Sequence, residues 1–126
     1  MSEYVEYLQE AFELFGSVTA RRMFGGWGLY HDGLMFGLVG YGCLYLKADA
    51  ENAAEFERRG LAQFEYEARG RRVRLGYYLA PDEILEDREE AALWARRSFD
   101  AALRAAARAQ PRAKRRSKKA ASSDEA

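Results

Sequence analysis

The side chains best suited to nucleophilic or metal chemistry are single copies: one histidine, His31, and one cysteine, Cys43. A nucleophile and its base must lie within hydrogen-bond reach. The strand order argued below puts these two at opposite ends of the Leu34 to Val39 strand, roughly 16 Å or more apart, so they form no dyad. His31 reads as an exposed turn residue and Cys43 as small apolar packing in a strand. One cysteine excludes an internal disulfide, and one cysteine with one histidine cannot complete a structural zinc site. No catalytic residue, metal or cofactor is therefore expected. The glycine cluster Gly25-Gly26-Trp27-Gly28 has the composition of a phosphate cradle but leads into a strand, whereas a cradle needs a helix N-terminus after it. It predicts a tight bend or bulge where backbones approach closely.

Two basic runs and an aromatic set remain. Arg69, Arg71, Arg72 and Arg74 flank an Arg69-Gly70 turn. Pairing across it sets Glu67 against Arg72, Glu65 against Arg74, Tyr66 against Val73 and Phe64 against Leu75, so the hairpin half neutralises its own arginines. Arg21 and Arg22 should point to opposite sides of their strand, one toward a carboxylate of the second helix or hairpin and the other toward an anionic partner. Tyr77, Tyr78, Trp94, Trp27 and Tyr45 have mostly Leu, Ala and Gly for neighbours rather than basic residues, which favours packing over base stacking.

Three helical and five or six extended segments must position these residues. Ser2 caps a first helix with Tyr4, Leu8, Ala11 and Phe15 on its apolar stripe, an acidic outer face, and Gly16 as its stop. Strands follow at Thr19 to Phe24, Trp27 to Tyr30, Leu34 to Val39 and Cys43 to Lys47, the last three joined by His31-Asp32-Gly33 and Gly40-Tyr41-Gly42. A second helix starts at Asp49 or Asn52 and stops at Gly60. The Phe64 to Ala68 and Arg71 to Tyr78 hairpin comes next. Pro81 then opens a short helical turn, and Asp87 with Glu90 starts the last helix, with Ala92, Ala95, Phe99 and Leu103 on its stripe, fraying before Pro111. The fold class is α+β, an antiparallel sheet in the order α, three or four β, α, two β, α.

Three-residue turns would pair Tyr30 with Leu34, Gly28 with Phe36, Leu38 with Leu44 and Phe36 with Leu46. One face is then Tyr30, Leu34, Phe36, Leu38, Leu44 and Leu46, and the other carries Trp27, Leu29, Met35, Val39, Cys43 and Tyr45, with an aromatic ring covering Gly37. Both faces are apolar, unlike a sheet with one side in water. Trp27, Leu29, Met35, Val39 and Tyr45 are therefore expected to form a homodimer or partner interface.

The balanced charge of the chain conceals a division near Pro111: residues 1–111 carry 14 basic and 18 acidic side chains, residues 112–126 six basic and two acidic. Residues 1–110 are expected to form one domain. The segment 111–126 lacks large apolar residues and reads as a disordered basic tail whose Arg112, Lys114, Arg115, Arg116, Lys118 and Lys119 could hold nucleic-acid phosphates without reading sequence. No membrane span or signal peptide is apparent, so a cytoplasmic protein is expected.

Arg22-Met23-Phe24-Gly25-Gly26 with Gly28, the Leu44-Tyr45-Leu46-Lys47 strand, and Tyr77-Tyr78 before Pro81 occur in an order and spacing that resemble the N-terminal domain of the TfoX/Sxy competence regulators, over roughly residues 10 to 105. The resemblance implies a secretion-chaperone-like fold, in which dimers are common, and a non-enzymatic regulatory module. In those regulators a second, helical domain follows, and the whole protein assists the cyclic-AMP receptor protein at competence promoters. This sequence carries the basic tail instead, which points to a regulatory circuit other than competence. The expected function is a protein-interaction module linked to transcriptional regulation. The alternative is a nucleic-acid-associated protein that binds through its tail.

Overall fold

The computed structural model describes residues 2–23 and 25–121, with side chains as far as residue 109. Helix α1 (Glu3–Ala11) precedes four strands, β1 (Thr19–Met23), β2 (Gly26–His31), β3 (Leu34–Gly40) and β4 (Cys43–Lys47). Then come α2 (Ala53–Arg58), β5 (Gln63–Ala68), β6 (Arg71–Leu79), a 3-10 turn (Asp82–Leu85) and α3 (Arg88–Ala121). The strands form one antiparallel sheet in the order β1-β2-β3-β4-β6-β5, which makes the fold the expected α+β.

The hairpins depart from expectation in register. His31 pairs with Leu34 and Gly40 with Cys43, so each loop is two residues, Asp32-Gly33 and Tyr41-Gly42, rather than three. Both loop residues have positive φ in each case: Asp32 49° and Gly33 79°, Tyr41 52° and Gly42 73°. The β5–β6 loop repeats the pattern, with Arg69 at 55° and Gly70 at 75°. These are type I′ turns, whose twist matches that of the strands they join. The tighter loops shift β2–β3 and β3–β4 by one residue from the expected pairing, and a bulge between Leu29 and Tyr30, opposite Phe36 and Gly37, changes the alternation again within β3. Gly37 pairs with Leu29 and Leu46, so aliphatic side chains cover its backbone, where an aromatic ring was expected.

One face, here the covered face, carries Trp27, Leu29, Phe36, Val39, Leu44 and Leu46, all packed in the core or against it. Three helices lie on it. Val5, Leu8 and Phe12 come from α1 and the residue after it, Phe56 from α2, and Ala91, Trp94, Ala95 and Phe99 from α3. Phe36 is fully buried, its ring 5.7 Å from that of Phe12 and 5.2 Å from that of Phe15. Local signals fix each helix. The Ser2 hydroxyl accepts from the Val5 N–H at 3.1 Å, and Asp87 accepts from the N–H groups of Glu89 and Glu90 at 2.9 and 3.2 Å. The buried stripe of α3 is rotated about one position from that expected. Trp94 takes the central place, its ring 5.1 Å from that of Phe56, while Leu103 turns outward. The backbone of α3 stays helical to Ala121, past Pro111, where the sequence predicted that it would fray.

A polar clamp ties α3 to the β4–α2 junction. The Arg104 guanidinium donates to both carboxylate oxygens of Asp49, at 2.7 and 2.9 Å. These bonds hold the Asp49 carboxyl at about 2, against an ordinary 3.8. Beside it the buried Asn52 accepts from the Asp49 N–H and donates to the Lys47 carbonyl, satisfying its amide inside the fold.

Candidate docking surface on the open face of the sheet

Register assigns the opposite face residue by residue. Cross-strand partners share a side of a sheet, so Tyr30 with Met35, Leu38 with Tyr45, Tyr45 with Leu79, Lys47 with Tyr77 and Tyr66 with Val73 lie together. Arg21 and Met23 join them from β1, through Gly28 and Gly26. Among the described residues no helix packs on this face, and the core assembled by the helices excludes Met35, Leu38, Tyr45, Leu75 and Tyr77.

The open face is concave. Met23 on one edge strand and Tyr66 on the other line a single groove of about 580 Å³, with Met35, Leu38, Phe64, Leu75 and Tyr77 between them. A flat six-stranded sheet would hold its edges too far apart for that. The bend follows from the bulge in β2–β3 and a second irregularity between Gln63 and Glu65. Phe64 anchors the floor, with its ring 4.8 Å from that of Tyr45 and 5.6 Å from that of Tyr41. Gly40 lets it lie there, because a Cβ on Gly40 would come within 3.3 Å of the Phe64 ring. Gly26 serves the adjoining wall: a Cβ there would fall 2.0 Å from the Val39 carbonyl oxygen, the close backbone approach predicted for the glycine cluster.

Among the described residues, none that lines the groove is charged. Burial pushes the Tyr77 phenol up to about 12 and raises that of Tyr45, so both remain hydroxyls at neutral pH. Cations stand near its rim. Lys47 Nζ is 5.3 Å from the centre of the Tyr77 ring, and the Arg21 guanidinium carbon is 5.2 Å from that of Tyr30. The arrangement provides apolar area, aromatic faces and a few hydroxyls, the usual lining of a binding groove.

The residues predicted to form the interface are divided by the register shift. Met35 and Tyr45 lie on the open face, whereas Trp27, Leu29 and Val39 face the helices, with Val39 also bordering the groove. Leu29 is wholly buried and Val39 nearly so, and Trp27 packs half-buried against the core. These three are therefore packing residues in this chain. Met23, Leu38, Phe64, Tyr66, Leu75 and Tyr77 complete the surface instead. The shared side of Phe64, Tyr66 and Leu75 was visible in the second hairpin, whereas the one-residue slip and the bulge in the meander concealed which of its residues join them.

Other candidates resolve individually. His31 is packed rather than exposed, its ring 4.6 Å from that of Phe15 and 4.9 Å from that of Phe99, with Nδ1 2.7 Å from the Ser17 carbonyl oxygen. The whole of β3 separates it from Cys43. Arg22 lies 5.3 Å from the centre of the Trp27 ring, and neither it nor Arg21 is in an ion pair among the described residues. The second hairpin pairs as predicted at Glu65–Arg74, Tyr66–Val73 and Glu67–Arg72, and Glu65 takes both Arg72 and Arg74, at 3.2 and 2.9 Å. The predicted nucleic-acid contacts Arg112, Lys114, Arg115, Arg116, Lys118 and Lys119 fall outside the described side chains. No helix among the described residues is long and apolar enough to cross a membrane.

Comparison with known proteins places this architecture. Residues 10–102 match the family model of the TfoX N-terminal domain. Protein Sxy of Escherichia coli strain K12 is 29% identical over 96 residues, which cover 76% of this chain and 46% of that protein. DNA transformation protein TfoX1 of Aliivibrio fischeri strain ATCC 700601 / ES114 is 38% identical over 66 residues, 49% of this chain and 32% of the relative. The chain thus matches less than half the length of either relative. The matched span runs from the end of α1 through the whole sheet to the buried part of α3, and the chain belongs to the TfoX N-terminal domain family.

Proposed function

We propose that this chain is a non-enzymatic regulatory module that binds another protein through the open face of its sheet. The observation that carries the proposal is the concave apolar surface from Met23 to Tyr66, which no helix among the described residues covers. A concave groove lined by apolar and aromatic side chains is the usual form of a binding site. The regulatory setting rests on the family: one relative is named a DNA transformation protein, and competence regulation is a transcriptional task. Because the match takes in only part of each relative, the circuit served here is left to the partner to define.

Site-specific photocrosslinking in cells tests this reading. p-Benzoylphenylalanine replaces Tyr41, 73% exposed beside the groove, or Leu14, 58% exposed in the turn after α1. A discrete protein adduct from position 41 and none from position 14 is the expected result. Adducts from position 14 alone would remove the open face from the proposal. A self-adduct at position 41 would replace the separate partner with a homodimer.

A second reading draws on the six basic residues between Arg112 and Lys119. Electrostatic binding of nucleic acid by this segment would fall steeply with salt. It would vanish in a chain ending at residue 110, whereas the open-face adduct would persist.

A further inference from the structure

The protein partner proposed above leaves open the chemistry of the segment that enters the groove, and charge placement narrows it. Within the strands, the charged side chains directed to the open face are Arg21, Lys47 and Arg71, the last paired with Ala68 at the tip of the β5–β6 hairpin. All are basic. The strand carboxylates, Glu65 and Glu67, point to the other side with Arg72 and Arg74. None of the three open-face cations is in an ion pair among the described residues. Lys47 and Arg21 lie instead against the rings of Tyr77, which lines the groove, and of Tyr30, which pairs across the sheet with the groove-lining Met35. One end of an uncharged groove is thus bordered by two cations. A cation laid against a ring keeps outward N–H donors for an anionic acceptor.

We infer that the partner presents an acidic amphipathic segment whose apolar side chains fill the groove between Met35 and Leu75 and whose carboxylates meet Lys47 and Arg21. This rests on the docking reading above and adds a sign to it. The same pattern disfavours two other occupants. Two copies joined open face to open face would bring only positive strand charges together, and the basic segment from Arg112 to Lys119 would meet cations with cations. Rim charges of this kind act mainly on partner choice and association rate. Each cation should change affinity about two- to five-fold, with the apolar contacts supplying the rest.

The test is selection of a phage-displayed random peptide library on the intact chain at low salt, followed by binding of the enriched peptides to two variant sets. Arg21→Glu with Lys47→Glu reverses the rim, with the Gln pair as substitute should reversal disturb folding. Tyr41→Ala with Tyr66→Ala trims exposed rings at the groove. The expected peptides combine Leu, Phe or Trp with Asp or Glu, bind the reversed variant at least ten-fold more weakly, lose affinity as salt rises, and weaken on the trimmed variant. Peptides that weaken on the trimmed variant but carry no acidic bias and ignore the reversed rim would overturn this inference while leaving the docking reading intact. Peptides indifferent to both sets, or no enrichment at all, would overturn both. Concentration-dependent dimerisation abolished by the trimmed variant would replace the acidic partner with a second copy.

Discussion

The covered and open faces of the sheet are both apolar, yet they are built from different apolar residues. Toward the helices stand Leu29, Phe36, Val39, Leu44 and Leu46, which carry no polar atom beyond the backbone. Toward the groove stand Met23 and Met35 with Tyr30, Tyr45, Tyr66 and Tyr77. A tyrosine offers a large apolar ring while its hydroxyl stays with water or a partner, and a methionine adapts to whatever it meets. The tyrosine on the covered side that packs near the core, Tyr78, donates its hydroxyl to Glu57 at 2.9 Å, so its polar end is satisfied within the chain. Side-chain type thus separates a surface sealed by the helices from one that no described helix covers, where hydropathy alone sees two equal stripes.

The sharpest way to break this comparison is Phe36→Ala on the covered face. Removing a fully buried ring that contacts Phe12 and Phe15 is expected to cost about 3–5 kcal/mol in urea unfolding. A loss below about 1 kcal/mol would mean that the helices do not make the core there. Trp27→Ala sharpens the assignment of the divided residues: with the ring half-buried against the core, a loss of about 2 kcal/mol is expected. Photocrosslinking from position 41 should survive it. Loss of the adduct at unchanged stability would return Trp27 to the interface.

Arg104→Ala probes what holds the helix layer down, with an expected cost of about 1 kcal/mol at neutral pH. Asp49 has a folded value of about 2, below its ordinary 3.8. Its contribution is therefore full above about pH 4 and is lost as pH falls from there through 2. Denaturation midpoints of the two proteins should converge across that window and stay parallel above it. A gap unchanged down to pH 2 would show that the clamp is not ionic. The smallest effect belongs to the open face. Tyr41→Ser with Tyr66→Ser should change stability by less than about 0.5 kcal/mol while weakening partner binding. A large stability loss would make those rings part of the core.

The β5–β6 hairpin and the β2–β3–β4 meander show what the sequence could and could not convey. All three connections use a residue followed by glycine with both φ values positive. At Arg69-Gly70 the flanking Glu and Arg residues made two-residue pairing the evident choice, and the register followed. At Asp32-Gly33 and Tyr41-Gly42 a polar His31 and a further glycine, Gly40, made each loop look one residue longer. The bulge at Leu29/Tyr30 has one local mark, the strand glycine Gly37, which fits a bulge and a ring-covered backbone equally well. Caps at Ser2 and Asp87 were legible because the side chain that makes them lies within three residues of its partner N–H. The apolar character of both faces was legible as well. Membership of each face was not, since a slip of one residue exchanges the sides.

Two hairpin systems share one sheet, yet their seam is short. The paired residues across it are Tyr45 with Leu79, Leu46 with Tyr78 and Lys47 with Tyr77, with α2 and β5 lying between the two strands in the chain. Every type I′ hairpin closes over two residues, on a microsecond timescale, whereas this junction must first close a long loop. Assembly of the molecule is therefore paced by the meeting of two preformed ribbons.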